Sequence, residues 1–149
     1  MTPVGELPGL KDLIESGVLI PTAADVAWEF ARFLESRYPF VPVTGYSIDW
    51  ARVPGSRRLR WDTATPEEVV HFVNRSPVGA HSEVAIWFRR SEPCYVCDLA
   101  FAASRLDELL APVFGERYLF GAGRGARGQF VFFWNDFIEA EGMSWLSSR

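Results

Sequence analysis

The chain has 149 residues with a net charge of −4, is 48% apolar, and contains six Trp, twelve Phe and four Tyr. That length suits one domain with a real core, and the acidic balance argues against general attraction to nucleic acid or anionic membranes. No apolar run reaches about 18 residues, so no membrane span is expected, and two cysteines do not make a disulfide framework.

The amino terminus, MTPVGELPGLKDL, lacks the basic start and apolar core of a secretory signal. A reducing cytoplasm is the expected setting. Residues 1–9 read as an arm punctuated by proline and glycine. Leu10 to Ser16 reads as a short helix ended by Gly17.

Thr22 and Asp25 predict the cap of the clearest helix, Ala23 to Arg37, which Tyr38-Pro39 stops. Val26, Ala27, Phe30, Phe33 and Leu34 share its apolar face. Trp28 falls on the other side, near Arg32 and Glu35. Either the N-terminal arm covers it, or it is an exposed anchor for a partner.

Phe40 to Trp50 reads as a loop and then a strand, with Gly45 as a bulge. Arg52 to Arg60 reads as a loop around Pro54-Gly55, with Trp61 ending a short strand. Thr65-Pro66-Glu67-Glu68 is a strong helix start, and that helix runs to about Arg75.

The stretch 82–101, SEVAIWFRRSEPCYVCDLAF, organises the rest. Val84, Ile86 and Phe88 alternate with Glu83, Ala85, Trp87 and Arg89. After the turn Arg90-Ser91-Glu92-Pro93, Tyr95, Cys97, Leu99 and Phe101 alternate with Cys94, Val96, Asp98 and Ala100. This period of two predicts an antiparallel hairpin at the middle of a sheet.

Ala102 to Val113 then reads as a helix with Leu106, Leu109, Leu110 and Val113 on its apolar stripe. Arg117 to Phe120 and Gln129 to Trp134 read as strands joined by Gly121 to Gly128. Asn135 is placed to cap a last helix, Asp136 to Glu141, followed by an apolar anchor at Trp145-Leu146. The mixture predicts a single α+β domain, mainly antiparallel sheet covered by helices.

Gly121-Ala122-Gly123-Arg124-Gly125-Ala126 has the letters of a dinucleotide loop, but it leads into a strand-like run and not a helix. It reads as a hairpin loop. Cys94 and Cys97 have CxxC spacing, yet residues three apart on a strand face opposite ways. They read as packing residues, and no metal or cofactor is predicted. No nucleophile elbow, HExxH or P-loop is present.

Two surfaces suggest binding. Arg52, Arg57, Arg58 and Arg60 lie among Trp50 and Trp61, a composition suited to RNA, a phosphate or an acidic protein face. Asp136, Glu139 and Glu141 lie among aromatics and would suit a basic partner. Both segments also fit a solvated surface, the arginines paired to Glu67 or Glu68.

As a type, one small acidic α+β domain rich in Trp and Phe, the chain resembles the immunity proteins that protect bacteria from contact-delivered toxins. Gln129 to Trp145, a strand followed by a DFIE-type acidic helix, is similar in style to the ends of several such families. The resemblance implies a non-enzymatic binding protein that plugs a toxin domain. The contact residues expected are Trp28, Arg57, Arg58, Trp61, Asp136 and Glu139. The competing expectation is a small enzyme or ligand-binding domain with a pocket formed by Trp87, Arg89, His81 and Asp98.

Overall fold

A computed structural model describes residues 2–41, 48–60, 62–113, 115–141 and 144–147, the side chain of residue 141 excepted. The α+β architecture holds. Seven strands form one sheet, β1 (Ile20–Pro21), β2 (Arg57–Arg60), β3 (Glu83–Trp87), β4 (Tyr95–Asp98), β5 (Arg117–Arg124), β6 (Phe130–Glu141) and β7 (Ser144–Ser147). Their spatial order is β1-β4-β3-β5-β6-β7-β2, and every neighbouring pair is antiparallel.

Helices cover both faces. On one side lies α2 (Asp25–Arg37), whose Val26, Ala27, Phe30 and Leu34 meet Ala85, Val96, Tyr118, Phe120 and Phe137. On the other lie α1 (Pro8–Glu15), α3 (Pro66–Arg75), α4 (Leu99–Ser104) and α5 (Leu106–Leu110). Their Leu10, Phe72, Val73, Ala102, Leu106 and Leu109 pack on Val84, Ile86, Leu119, Ile138 and Trp145. The alternation along β3 and β4 therefore feeds two cores. Cys94 enters the α2 side and Cys97 the other, so the two sulfurs point away from each other.

The hairpin is present, with Glu83 opposite Asp98 and Ile86 opposite Tyr95. Its second strand is shorter than the alternation predicts, because α4 already begins at Leu99. Leu99, Ala102, Ala103 and Leu106 continue one buried stripe at helical spacing, and that stripe outweighs the alternation through Phe101. The helix expected over Ala102–Val113 is two short ones, broken at Arg105.

The start of α3 forms as expected. The Glu68 N–H donates to Thr65 Oγ1 at 3.2 Å, and the Thr65 N–H donates to Glu68 Oε1 at 3.1 Å. By contrast, Thr22 does not cap α2, which starts at Asp25. Its Oγ1 accepts the Cys94 N–H at 3.1 Å and so ties the chain entering α2 to β4.

The largest departure concerns the acidic end, where 136–141 is not a helix. β6 runs on as a strand, sending Ile138 and Ala140 to one core and Phe137 to the other, and β7 pairs along it. Between β5 and β6 the partners step from Phe120–Phe137 to Gly121–Phe133, which leaves Trp134, Asn135 and Asp136 as a bulge. The arginine loop likewise becomes strand from Arg57 to Arg60, paired with β7 at one border of the sheet. Gly45 and Trp61 lie outside the described residues.

Candidate functional site

The clearest built surface lies where α2 meets the β3–β4 turn. Trp28, Arg32 and Glu35 sit at positions i, i+4 and i+7 of α2, on the stripe opposite its buried one. Trp28 is 47% exposed, so the N-terminal arm does not cover it. Arg90, from the turn, lays its guanidinium 5.0 Å from the Trp28 ring centroid and forms an ion pair with Glu35. One cation thus braces both the indole and the carboxylate.

Arg90 also borders a half-open groove of about 280 Å³, whose lining includes Leu34, Trp87, Phe88, Arg89 and Tyr118. Its walls are fixed by bonds that cross the fold. Trp87 Nε1 donates to the Ala27 carbonyl at 2.8 Å and binds β3 to α2. Arg89 Nη1 donates to Glu92 Oε2 at 2.9 Å and to the Thr2 carbonyl at 3.1 Å, while Glu92 Oε1 accepts the Val4 N–H. The amino-terminal arm is therefore stapled to the turn, with Val4 fully buried.

The other expected contact residues do not join this face. Arg57 and Arg58 lie on β2, where Arg57 stacks over Phe72 at 5.7 Å, and both border a shallow groove with Glu67, Glu68 and His71. Asp136 sits in the β6 bulge, 2.8 Å from His81 Nε2. The His81 ring in turn stacks on Phe133, with centroids 4.4 Å apart.

Glu139 is corrected outright. It has no exposed surface, and its carboxylate accepts the Trp50 indole N–H and, at 3.4 Å, the Tyr118 hydroxyl. It is an internal acceptor and not a charge offered to a partner. Sequence reasoning placed it on an exposed helix, whereas a strand sends residues 137 and 139 inward together. Trp61 lies outside the described residues.

The four residues of the competing pocket do not converge. Trp87 and Arg89 border the groove, but His81 and Asp98 lie at the opposite end of β3, where Asp98 faces Glu83. The residues that reasoning missed are Arg90 and the groove floor. The Trp28–Arg32–Glu35 stripe was the available signal, since an aromatic face and a carboxylate on one helix stripe invite a cation from a nearby turn.

Burial keeps the two thiols inert. It pushes Cys94 far up from the ordinary thiol range and Cys97 up to about 12, the latter helped by the charges of Asp98 and Glu83. Since the thiolate is the nucleophile, iodoacetamide at mildly alkaline pH should label neither cysteine in the folded protein. Both should react once urea unfolds the chain, as mass spectrometry would show. Rapid labelling of the native protein would contradict the burial.

No protein-family model matches the chain, and neither the curated proteins nor the solved structures compared with it gave a match.

Proposed function

We propose that the chain is a non-enzymatic protein-binding domain that occludes its partner, and that the partner is a bacterial toxin domain. The observation that supports this reading is the braced set Trp28–Arg90–Glu35 beside the groove. Tryptophan and arginine are the residue types that most often dominate interface energetics. Holding them in place before contact lowers the ordering cost of association. The net charge of −4 favours approach to a basic surface, such as that of a toxin acting on nucleic acid.

In this reading the protein works in the cytoplasm of the cell that makes it, and protection is steric. Among the described residues no helix is long and apolar enough to cross a membrane. Arg89 and Arg90 are both committed to carboxylates of the chain itself, which suits a rigid docking face better than capture of a small anion.

The test is co-expression with the product of the adjoining reading frame. The expected result is relief of that product's toxicity and a complex that survives purification. Unrelieved toxicity together with no complex would overturn the proposal.

A further inference from the structure

The sheet carries a border that its outer strands do not share. The two end strands are protected in ordinary ways: β1 is two residues long and contains Pro21, and β2 carries Arg57, Arg58 and Arg60. The first half of β6 is different. β7 pairs only with residues Ile138–Glu141, so among the described residues nothing pairs with the outer side of β6 from Phe130 to Trp134. That segment reads Phe-Val-Phe-Phe-Trp, with no charge and no proline.

The hairpin geometry identifies which backbone groups are free. The Gly125 N–H donates to the Gln129 carbonyl at 2.8 Å and the Gly128 N–H to the Gly125 carbonyl at 3.0 Å, with Gly128 at φ +79. This is a three-residue turn closed by a glycine bulge. Antiparallel ladders alternate, so Gln129, Val131 and Phe133 turn their backbone groups toward β5. Phe130, Phe132 and Trp134 turn theirs outward. Val131 and Phe133 are 39% and 40% exposed on one face, while Phe130, Phe132 and Trp134 form an aromatic row on the other. Strand backbone that no other described strand pairs, beside apolar side chains, is the condition that strand addition relieves.

We propose that β6 pairs antiparallel with β6 of a second copy of this chain, on a two-fold axis through Phe132. The register is self-consistent. Phe132 faces its own copy and Phe130 faces Trp134, so each outward residue donates one N–H and accepts one in return. On the α2 side Phe130 meets Trp134 across the axis, and on the other Val131 meets Phe133. Charge agrees as well. Arg127 at the turn makes no ion pair among the described residues. The same register sets Gln129 opposite Asn135 of the second copy, so the turn that carries Arg127 lies beside the bulge that holds Asp136. A two-fold contact between like surfaces closes at two molecules and leaves no open border for further growth. The pairing lies at the Glu83 end of β3, whereas the Trp28 groove lies at the Trp87 end, so it stands apart from the partner site.

Sedimentation equilibrium across a dilution series tests it, with near-ultraviolet circular dichroism as the folding control. The parent should populate a dimer that dissociates on dilution. Val131→Lys with Phe133→Lys places like charges opposite each other and should weaken that dimer by at least ~100-fold while the spectrum is kept. Phe132→Cys should oxidise to a disulfide-linked dimer, which the parent, with both its cysteines buried, should not form. A parent that stays monomeric, a dimer the lysine pair leaves intact, or a dimer that Phe132→Cys fails to crosslink would overturn the proposal.

Discussion

Replacing Phe30 by alanine should lower stability by about 4 kcal/mol. The ring has no exposed surface, and it joins α2 to the sheet by lying 4.4 Å from Phe120, 5.5 Å from Tyr118 and 5.9 Å from Phe137, centroid to centroid. Truncation removes the transfer gain of the ring and leaves a cavity between rigid aromatics that cannot collapse to fill it. Aromatic pairing adds to the loss. Equilibrium urea unfolding is the measurement, and a lower midpoint with an unchanged slope is the expected form. A cost below about 1 kcal/mol, the scale of an exposed substitution, would mean that α2 does not rest on this face.

The second large effect is expected at Glu139→Ala, at about 3 kcal/mol. The carboxylate is the acceptor for two groups inside the fold, the Trp50 indole and the Tyr118 hydroxyl. Removing it leaves both donors buried without that acceptor, and each such group costs about 1–3 kcal/mol. Glu139→Gln keeps an oxygen at the same reach and should recover part of the loss. The order Glu above Gln above Ala in urea midpoints is therefore the prediction. Equal midpoints for the three would contradict an internal Glu139 and would restore it to the surface.

Local chemistry explains what could be read in advance. The α3 start was legible because Thr65, Pro66 and Glu68 each satisfy backbone groups within a few residues of themselves. The central hairpin was legible because Val84, Ile86, Tyr95 and Cys97 alternate into a core whatever the order of the strands. The failures come from residues whose state is decided at a distance. Asp136 to Glu141 carries helix-like letters, but pairing with β5 and β7 makes it a strand. Thr22 has the letter of a cap, yet its oxygen is taken by Cys94, 72 residues away.

The candidate site divides along the same line. Trp28 was identifiable from α2 alone, because a tryptophan opposite the apolar stripe stands out at helical spacing. Its brace was not, since Arg90 reaches it from a turn that only the sheet brings near. Arg57 and Arg58 read as loop beside Pro54-Gly55, and three arginines in four residues do not suit an inner strand. They fit an outermost one, where their charge keeps other strands away.

The most direct test of the binding account is the affinity of the purified partner for the parent and for Trp28→Ala, titrated calorimetrically under one buffer. Loss of about 2 kcal/mol, roughly 30-fold in the dissociation constant, is the result predicted for an anchor already held in its bound geometry. An unchanged dissociation constant for a folded Trp28→Ala protein would contradict it.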